Sequence, residues 1–567
     1  MPPLLHVQNL EVRFPGHTPV RGVSFSLAAG QVLGIVGESG SGKSLTALAL
    51  IGLVPPPGVV QAERLEWSPP EQPPVDLLSL TPQSWPQYRG RAMGMVFQEP
   101  ASSLNPVYPC GWQLAEACRA HQTLTPAQVR QRQIQLLQEV QLLPAAAPPE
   151  QVEGLLKRYP HQFSGGQLQR WMLAMALAGN PWLLLADEPT TALDVTIQAE
   201  ILTLMKRLCQ QRQMATILIS HDLAVVADLA DQVLVMYQGT VVESGSKAAI
   251  FQHPQHPYTQ GLLACRPSAR QRLAVLPTLA DFLENRPAPP VIAATAVAER
   301  LHRLQQQPVL LHVQDLQVAY RRQREEFLAV DGVAFTLHRG ETLGLVGESG
   351  CGKSTLARAL LRLMPIRSGT ISFDGQDITR RSAAQLRPLR RRMQLIFQDP
   401  LGSLNPRMTI QAALLEPLRI HYPRQSLKLA LAQVVTLLER VGLDADALPR
   451  YPHQFSGGQR QRLAIARALV TSPDFLICDE SVSALDISIQ AQVLNLLKQL
   501  QEEFHLTYLF ISHDLSVVHF MSDRIMVMNR GQIVEIGSAD QIYHHPQHPY
   551  TQKLIQAIPQ LDVPQVS

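Results

Sequence analysis

Two eight-residue stretches carry the residue types and spacing of a phosphate cradle. Gly37-Glu38-Ser39-Gly40-Ser41-Gly42-Lys43-Ser44 follows the apolar run Val32 to Val36, and Gly347-Glu348-Ser349-Gly350-Cys351-Gly352-Lys353-Ser354 follows Thr342 to Val346, 310 residues later. A glycine, four residues, then glycine, lysine and serine, set between a buried strand and a helix, lets backbone N–H groups converge on an anion. Lys43 and Lys353 then have the reach for β- and γ-phosphates, and the hydroxyls of Ser44 and Ser354 suit Mg²⁺. Two further apolar runs end in paired acids, Leu183 to Asp187-Glu188 and Phe475 to Asp479-Glu480. On the phosphate-loop plan Asp187 and Asp479 hold Mg²⁺ through its water shell, and Glu188 and Glu480 polarise an attacking water. The other use of such a pair is to cap a helix. Ile217 to His221 and Leu509 to His513 read as strands delivering a histidine, a donor placed where charge moves on cleavage of a γ-phosphate. Gln98 and Gln398, each after an apolar strand, can coordinate Mg²⁺ or the water. These residues together suit a nucleotide polyphosphate with Mg²⁺.

The elements that must position these residues come in two sets. Leu4-Leu5-His6-Val7-Gln8 recurs as Leu310-Leu311-His312-Val313-Gln314, and Phe97-Gln98-Glu99-Pro100 as Phe397-Gln398-Asp399-Pro400. Tyr159 to Gln167 recurs at Tyr451 to Gln459, and His253-Pro254-Gln255-His256-Pro257-Tyr258-Thr259-Gln260 at His545 to Gln552. A repeat of this length means two copies of a domain. The offset between copies falls along the chain, which places first-half insertions before Gln98, where Pro55 to Pro74 is proline-rich, and between Gln98 and Tyr159; both are expected to be surface loops. Residues 266–308 read as a linker with one short helix from Ala296 to Gln306, long enough for the halves to pack freely. The domains are therefore expected at 1–265 and 309–567.

Bulk properties limit the function classes. The 567 residues exceed one domain, and 49 basic against 46 acidic residues leave a net charge of +3, too little for a strong nucleic-acid or membrane field. Cys110, Cys118, Cys209, Cys265, Cys351 and Cys478 form no CxxC pair and no zinc or iron-sulfur spacing, so no iron-sulfur cluster is expected. No signal-peptide layout and no apolar run of about 18 residues is present, so a soluble cytoplasmic protein is expected.

Taken together the motifs resemble two ATP-binding cassettes of an ABC transporter fused in tandem. The carriers of that resemblance are the two phosphate loops, Gln98 and Gln398, the signatures Ser164-Gly165-Gly166-Gln167 and Ser456-Gly457-Gly458-Gln459, the acid pairs, the D-loops Thr190 to Asp194 and Ser481 to Asp486, and the histidines. The resemblance implies an α/β fold: two P-loop NTPase domains, each with a RecA-like core, an antiparallel β subdomain and a helical signature subdomain, packed head to tail. It also implies that each signature completes the nucleotide site of the opposite half, Ser456 to Gln459 with Lys43 and Ser164 to Gln167 with Lys353, and that Phe14 and Tyr320 stack on adenine. Leu168 in place of Arg460, Ser481 in place of Pro189 and Cys351 in place of Ser41 are departures that remove no ligand and no catalytic acid, so both sites are expected to hydrolyse ATP. The Ser-Leu-Asn-Pro stretches after each glutamine and the His-Pro-Tyr-Thr-Gln stretches resemble those of dipeptide, oligopeptide, nickel and glutathione importer ATPases. The histidines of the latter stretches read as rigid turns rather than metal ligands. That class implies two integral-membrane permease subunits and an extracytoplasmic solute-binding protein as partners, no nucleic acid, and a peripheral place on the cytoplasmic face of the inner membrane. A soluble tandem cassette acting on ribosomes or DNA is the alternative, disfavoured by a proline-broken linker and the lack of zinc cysteines.

Overall fold

The computed structural model describes residues 3–70, 73–191, 193–267, 271–322, 325–483 and 485–558; Ala192 and Ala484 of the expected D-loops lie outside these. The chain divides into two compact units, one spanning residues up to Leu263 and including Phe282–Asn285, the other Ala264–Asp281 with Arg286–Ile558.

The first unit is built on a six-stranded sheet whose spatial order is Thr240–Ser246, Gln232–Tyr237, Val32–Val36, Ala215–Ile219, Leu183–Asp187 and Met93–Val96. All neighbours are parallel except the Thr240–Ser246 edge. Every residue of Leu183–Asp187 and Ala215–Ile219 is buried, which is why these strands read as unbroken apolar runs: a parallel sheet is covered on both faces. The shared direction brings the ends of four strands to one edge, where Gly37, Gln98, Glu188 and His221 leave the sheet, and open α/β sheets bind ligands there. A separate antiparallel sheet pairs Leu5–Phe14 with His17–Leu27, Val59–Gln61 and Arg64–Trp67. The helices Cys110–Arg119, Pro126–Glu139, Pro149–Leu156 and Gly165–Ala176 form the third part.

The second unit repeats this plan. Its parallel sheet runs Met393–Ile396, Phe475–Asp479, Thr507–Ile511, Thr342–Val346, Arg524–Asn529 and Gln532–Ser538, the last antiparallel. Its antiparallel sheet pairs Val309–Arg322 with Glu325–His338 and Ser368–Phe373. Its helices include Ile410–His421, Leu427–Arg440 and Gly457–Leu469.

Three segments depart from expectation. Within the proline-rich stretch Pro55 to Pro74, Arg64–Trp67 is a strand paired with Leu5–Gln8, with Trp67 1 % exposed at its end. Leu65 and Trp67 point inward and Arg64 and Glu66 outward, a period-two pattern that the flanking prolines concealed. The insertion between Gln98 and Tyr159 is not a loop either, since it contributes the helix Pro149–Leu156 where the second unit has only the turn Ala445–Ala447. Finally, the segment read as a linker is grouped with the second unit over Ala264–Asp281 and from Arg286 on, and with the first over Phe282–Asn285. Its helices are Leu279–Leu283 and Ala294–Gln305. Leu276 is 1 % exposed, and its backbone N–H and C=O are both held by the Asn495 amide at 2.8 Å. Arg272 donates to the Ser522 carbonyl, and Arg300 forks onto the Asp523 carboxylate at 2.6 and 3.2 Å.

Candidate active site

In both units the glycine loop wraps the start of a helix, Lys43–Leu50 and Lys353–Leu360. Gly42 caps the first helix at φ 99°, and a Cβ there would lie 2.6 Å from the Pro19 carbonyl oxygen, so backbone angle and space both demand glycine. Lys43 Nζ is folded over its own loop, donating to the carbonyls of Gly37 at 2.8 Å and Glu38 at 2.7 Å. Lys353 does the same to Gly347 at 2.7 Å and Glu348 at 3.0 Å. The lysine thus lies over the loop with its ammonium on two carbonyls, a position from which it can also donate to phosphate oxygens.

Behind each lysine, the Ser44 hydroxyl donates to Asp187 Oδ1 at 3.1 Å and the Ser354 hydroxyl to Asp479 Oδ1 at 3.0 Å. Burial pushes both aspartates above their ordinary range despite those hydrogen bonds, and the neighbouring glutamate adds to the effect. A buried carboxylate beside a hydroxyl and a second carboxylate is a set of hard oxygen donors, and it fits Mg²⁺.

The adjacent glutamates are held differently. Glu188 and Glu480 adopt φ 49° and 47°, left-handed backbone that a side-chain-bearing residue seldom occupies, and each backbone N–H is tied to the neighbouring strand, at Ile219 and Ile511. Glu188 Oε2 accepts from Gln98 Nε2 at 2.9 Å and from the Thr191 hydroxyl at 2.9 Å, with His221 Nδ1 at 3.1 Å. Glu480 Oε2 accepts from Gln398 Nε2 at 2.8 Å, with His513 Nδ1 at 3.5 Å. Burial works to raise both glutamates, but the facing histidine, its charge and the loop lysine outweigh it and hold them below the usual range. His513 is raised in turn, the Glu480 carboxylate overcoming the effect of burial. The two centres are not identical: the Thr191 hydroxyl holds the Glu188 carboxylate, whereas the Ser483 hydroxyl donates to the Glu480 backbone carbonyl at 2.9 Å.

Glutamine, acid pair, lysine, serine and histidine are therefore gathered at one sheet edge in each unit. The signatures occupy a different place. Ser164 and Ser456 cap the helices Gly165–Ala176 and Gly457–Leu469 in capping boxes with Gln167 and Gln459. Both serines and the first glycines, Gly165 and Gly457, are exposed, while Gly166 and Gly458 pack on Ile197 and Ile489. Leu168 is buried, and Arg460 in its place donates to the Pro452 carbonyl at 3.2 Å. Of the two aromatic positions, Tyr320 is 44 % exposed with its hydroxyl 3.4 Å from Thr355 Oγ1, whereas Phe14 is stacked on His17 at 5.3 Å and packed against Gly58.

One pair of residues at the site escaped the sequence reading. Tyr258 and Tyr550 of the His-Pro-Tyr-Thr-Gln stretches accept a hydrogen bond from the Glu38 and Glu348 backbone N–H, at 3.0 and 3.1 Å. Recurrence of the tyrosine in both copies was visible; that it reaches a loop more than two hundred residues away was not. The histidines of these stretches form turns as expected, His256 and His548 each accepting the N–H of the tyrosine two residues on at 3.1 Å.

Residues 20–191 and 330–483 match the model of the ABC transporter family, and residues 242–289 and 534–566 match that of the oligopeptide/dipeptide transporter C-terminal region. With two complete sets of site residues on two copies of one α/β plan, the chain belongs to the ABC transporter family as a tandem pair of ATP-binding cassettes. It is of the importer class, being 47 % identical over 576 residues to the glutathione import ATP-binding protein GsiA of Escherichia coli O157:H7, an alignment covering 98 % of this chain and 89 % of that protein. The protein of that name from Pectobacterium atrosepticum is 46 % identical over 572 residues, covering 99 % and 90 %. Among solved structures, a dimeric bacterial ABC transporter cassette aligns with 41 % of this chain and 99 % of its own length at 27 % identity, with a TM-score of 0.38. Among the described residues no helix is long and apolar enough to cross a membrane.

Proposed function

We propose that this chain drives uptake of a peptide-class solute, glutathione among the candidates, by hydrolysing Mg²⁺-ATP at both of its cassettes and passing the motion to two membrane permease subunits fed by an extracytoplasmic binding protein. It would sit peripherally on the cytoplasmic face of the inner membrane. The observation that carries this reading is the duplicated cluster at the sheet edge, since neither copy lacks a lysine, an acid pair, a glutamine or a histidine. In the proposed roles, Lys43 and Lys353 bind phosphate and Ser44, Asp187, Ser354 and Asp479 hold Mg²⁺, with Gln98 and Gln398 nearby. Bound Mg²⁺ would neutralise phosphate charge as it develops. Glu188 and Glu480, kept ionised by their histidines, accept hydrogen bonding from the attacking water, and His221 and His513 serve the γ-phosphate side. Tyr320 and Phe14 would receive the base, Tyr320 with the more open ring. The class of solute rests on the relatives named glutathione import proteins and on the peptide-transporter region present twice.

The test is purification from membranes with identification of the associated subunits, followed by uptake of labelled glutathione, a dipeptide and Ni²⁺ in cells lacking the chain. Rescue of glutathione or dipeptide uptake by the intact chain, and failure by Glu188→Gln with Glu480→Gln, is expected. Rescue by the double variant would refute the role of hydrolysis, and rescue of Ni²⁺ uptake alone would refute the solute class.

A further inference from the structure

We infer that Tyr258 and Tyr550 are positioning residues for the two nucleotide sites, through which the peptide-transporter region sets the shape of the phosphate loops. The inference rests on ATP binding at those loops as proposed above. In each unit a chain of hydrogen bonds runs from the antiparallel edge strand to the loop. The Glu243 carboxylate accepts the N–H groups of Gln255 at 2.8 Å and His256 at 3.1 Å, His256 Nδ1 accepts the Tyr258 N–H at 3.1 Å, and the Tyr258 hydroxyl accepts the Glu38 N–H at 3.0 Å. The second unit repeats every link: Glu535 to Gln547 at 2.8 Å and His548 at 3.1 Å, His548 to Tyr550 at 3.1 Å, and Tyr550 to Glu348 at 3.1 Å.

The recurrence matters because the contacts around the two tyrosines differ. Tyr258 is fully buried and lies against Tyr237 with ring centroids 4.3 Å apart, while Tyr550 is half-buried and its unit has Asn529 at the position of Tyr237. The packing has changed and the hydroxyl contact has been kept. Its partner is also specific. Glu38 and Glu348 follow the first glycine of each loop, so the N–H that the tyrosine holds shares its peptide group with the Gly37 or Gly347 carbonyl on which Lys43 or Lys353 rests, and the next carbonyl, of Glu38 or Glu348, takes the same ammonium. The tyrosine therefore fixes, from outside, the peptide groups that the lysine grips from inside. Removing the hydroxyl withdraws one hydrogen bond from a loop whose amides must be aimed at phosphate, and a misaimed cradle loses ground-state binding before it loses chemistry.

The experiment uses the full chain with Tyr258→Phe, Tyr550→Phe and the double variant, each keeping the ring and losing only the hydroxyl. The readouts are KM and kcat for Mg²⁺-ATP, binding of a fluorescent ATP analogue, and the thermal midpoint. The expected result is a rise in KM and in analogue Kd of about fivefold in the double variant, the size of one lost hydrogen bond, with kcat within about twofold and an unchanged midpoint. Unchanged KM and Kd would overturn the inference, as would a KM rise that tracks a falling midpoint, the mark of a packing role alone. Lys43→Ala with Lys353→Ala is the control: if it leaves analogue binding intact, the loop reading itself has failed, whereas loss of binding there with silent tyrosine variants sinks the positioning role alone.

Discussion

The glutamates at the sheet edge show how a side chain is held where its backbone would rather not be. Left-handed backbone at a non-glycine residue costs of order 1–3 kcal/mol, and at Glu188 and Glu480 it is held by the strand bonds to Ile219 and Ile511. The gain is orientation: both carboxylates point at a glutamine and a histidine rather than at solvent. Exchange of both to glutamine keeps the shape and one acceptor oxygen but replaces the other with an NH₂ donor and removes the charge, and ATPase is expected to fall by about 10²–10⁴-fold with nucleotide binding retained, as measured by phosphate release beside equilibrium binding. His221→Ala and His513→Ala are expected to lower kcat about 10²-fold at nearly constant Kd for ATP, because the imidazole matters where charge develops. Equal losses in Kd and kcat would mark the histidines as structural. The acid pairs, lysines and histidines were legible in the sequence because each ends a strand or loop of characteristic composition. The partners that tune them were not: Thr191 and Ser483 sit at matching positions and both carry hydroxyls, yet one bonds a side chain and the other a carbonyl, a difference no residue type announces.

At the scale of elements, the sequence read best where periodicity and packing agree. The buried strands are apolar runs because both faces are covered, and the signature helices begin where Ser and Gln stand three apart. It read worst where prolines and alanines suggested loops, since Arg64–Trp67 and the segment after Ala264 depend on contacts with strands and helices far away in sequence. That segment supplies two tests. Leu276 fills a buried site, so Leu276→Ala is expected to cost about 2–5 kcal/mol in chemical denaturation and to speed proteolysis between residues 271 and 305. Lys498 lies under the same segment, its ammonium 3.7 Å from the centre of the Phe520 ring. Burial, with help from Arg272 and Arg300, pulls it down to about 8. An unfolded lysine titrates near its ordinary value, so between the two the unfolded chain holds the extra proton. The penalty for charging Lys498 in the fold is full below about pH 8 and fades as pH approaches 10.4. Lys498→Met is therefore expected to raise the thermal midpoint at pH 7 and to raise it less at pH 10; an equal gain at both would show that the charge is not the cause.

For the whole molecule the duplication is the main fact, and it was the most legible of all, because nine-residue identities such as Tyr159 to Gln167 and Tyr451 to Gln459 cannot be read as chance. Two complete sets of site residues predict two nucleotides per chain. Equilibrium dialysis of the Glu188→Gln, Glu480→Gln chain with Mg²⁺-ATP is expected to give two bound per chain, falling to one when either Lys43→Ala or Lys353→Ala is added. One nucleotide in the parent would mean that the differences between the copies have silenced a site.

The segment from Ala264 onward has a consequence for how the gene can be divided. A break at Pro308, where the repeat begins, would leave Leu276, Arg272 and Arg300 on the wrong fragment, and the second product would expose the seat of Leu276, the Asn495 amide and the Asp523 carboxylate. A break before Ala264 keeps them with their partners and parts Phe282–Asn285 from the first unit. A split of this protein into separately expressed halves is therefore expected to cost less stability before Ala264, where most of the packing changes hands, than at Pro308, where the repeat does.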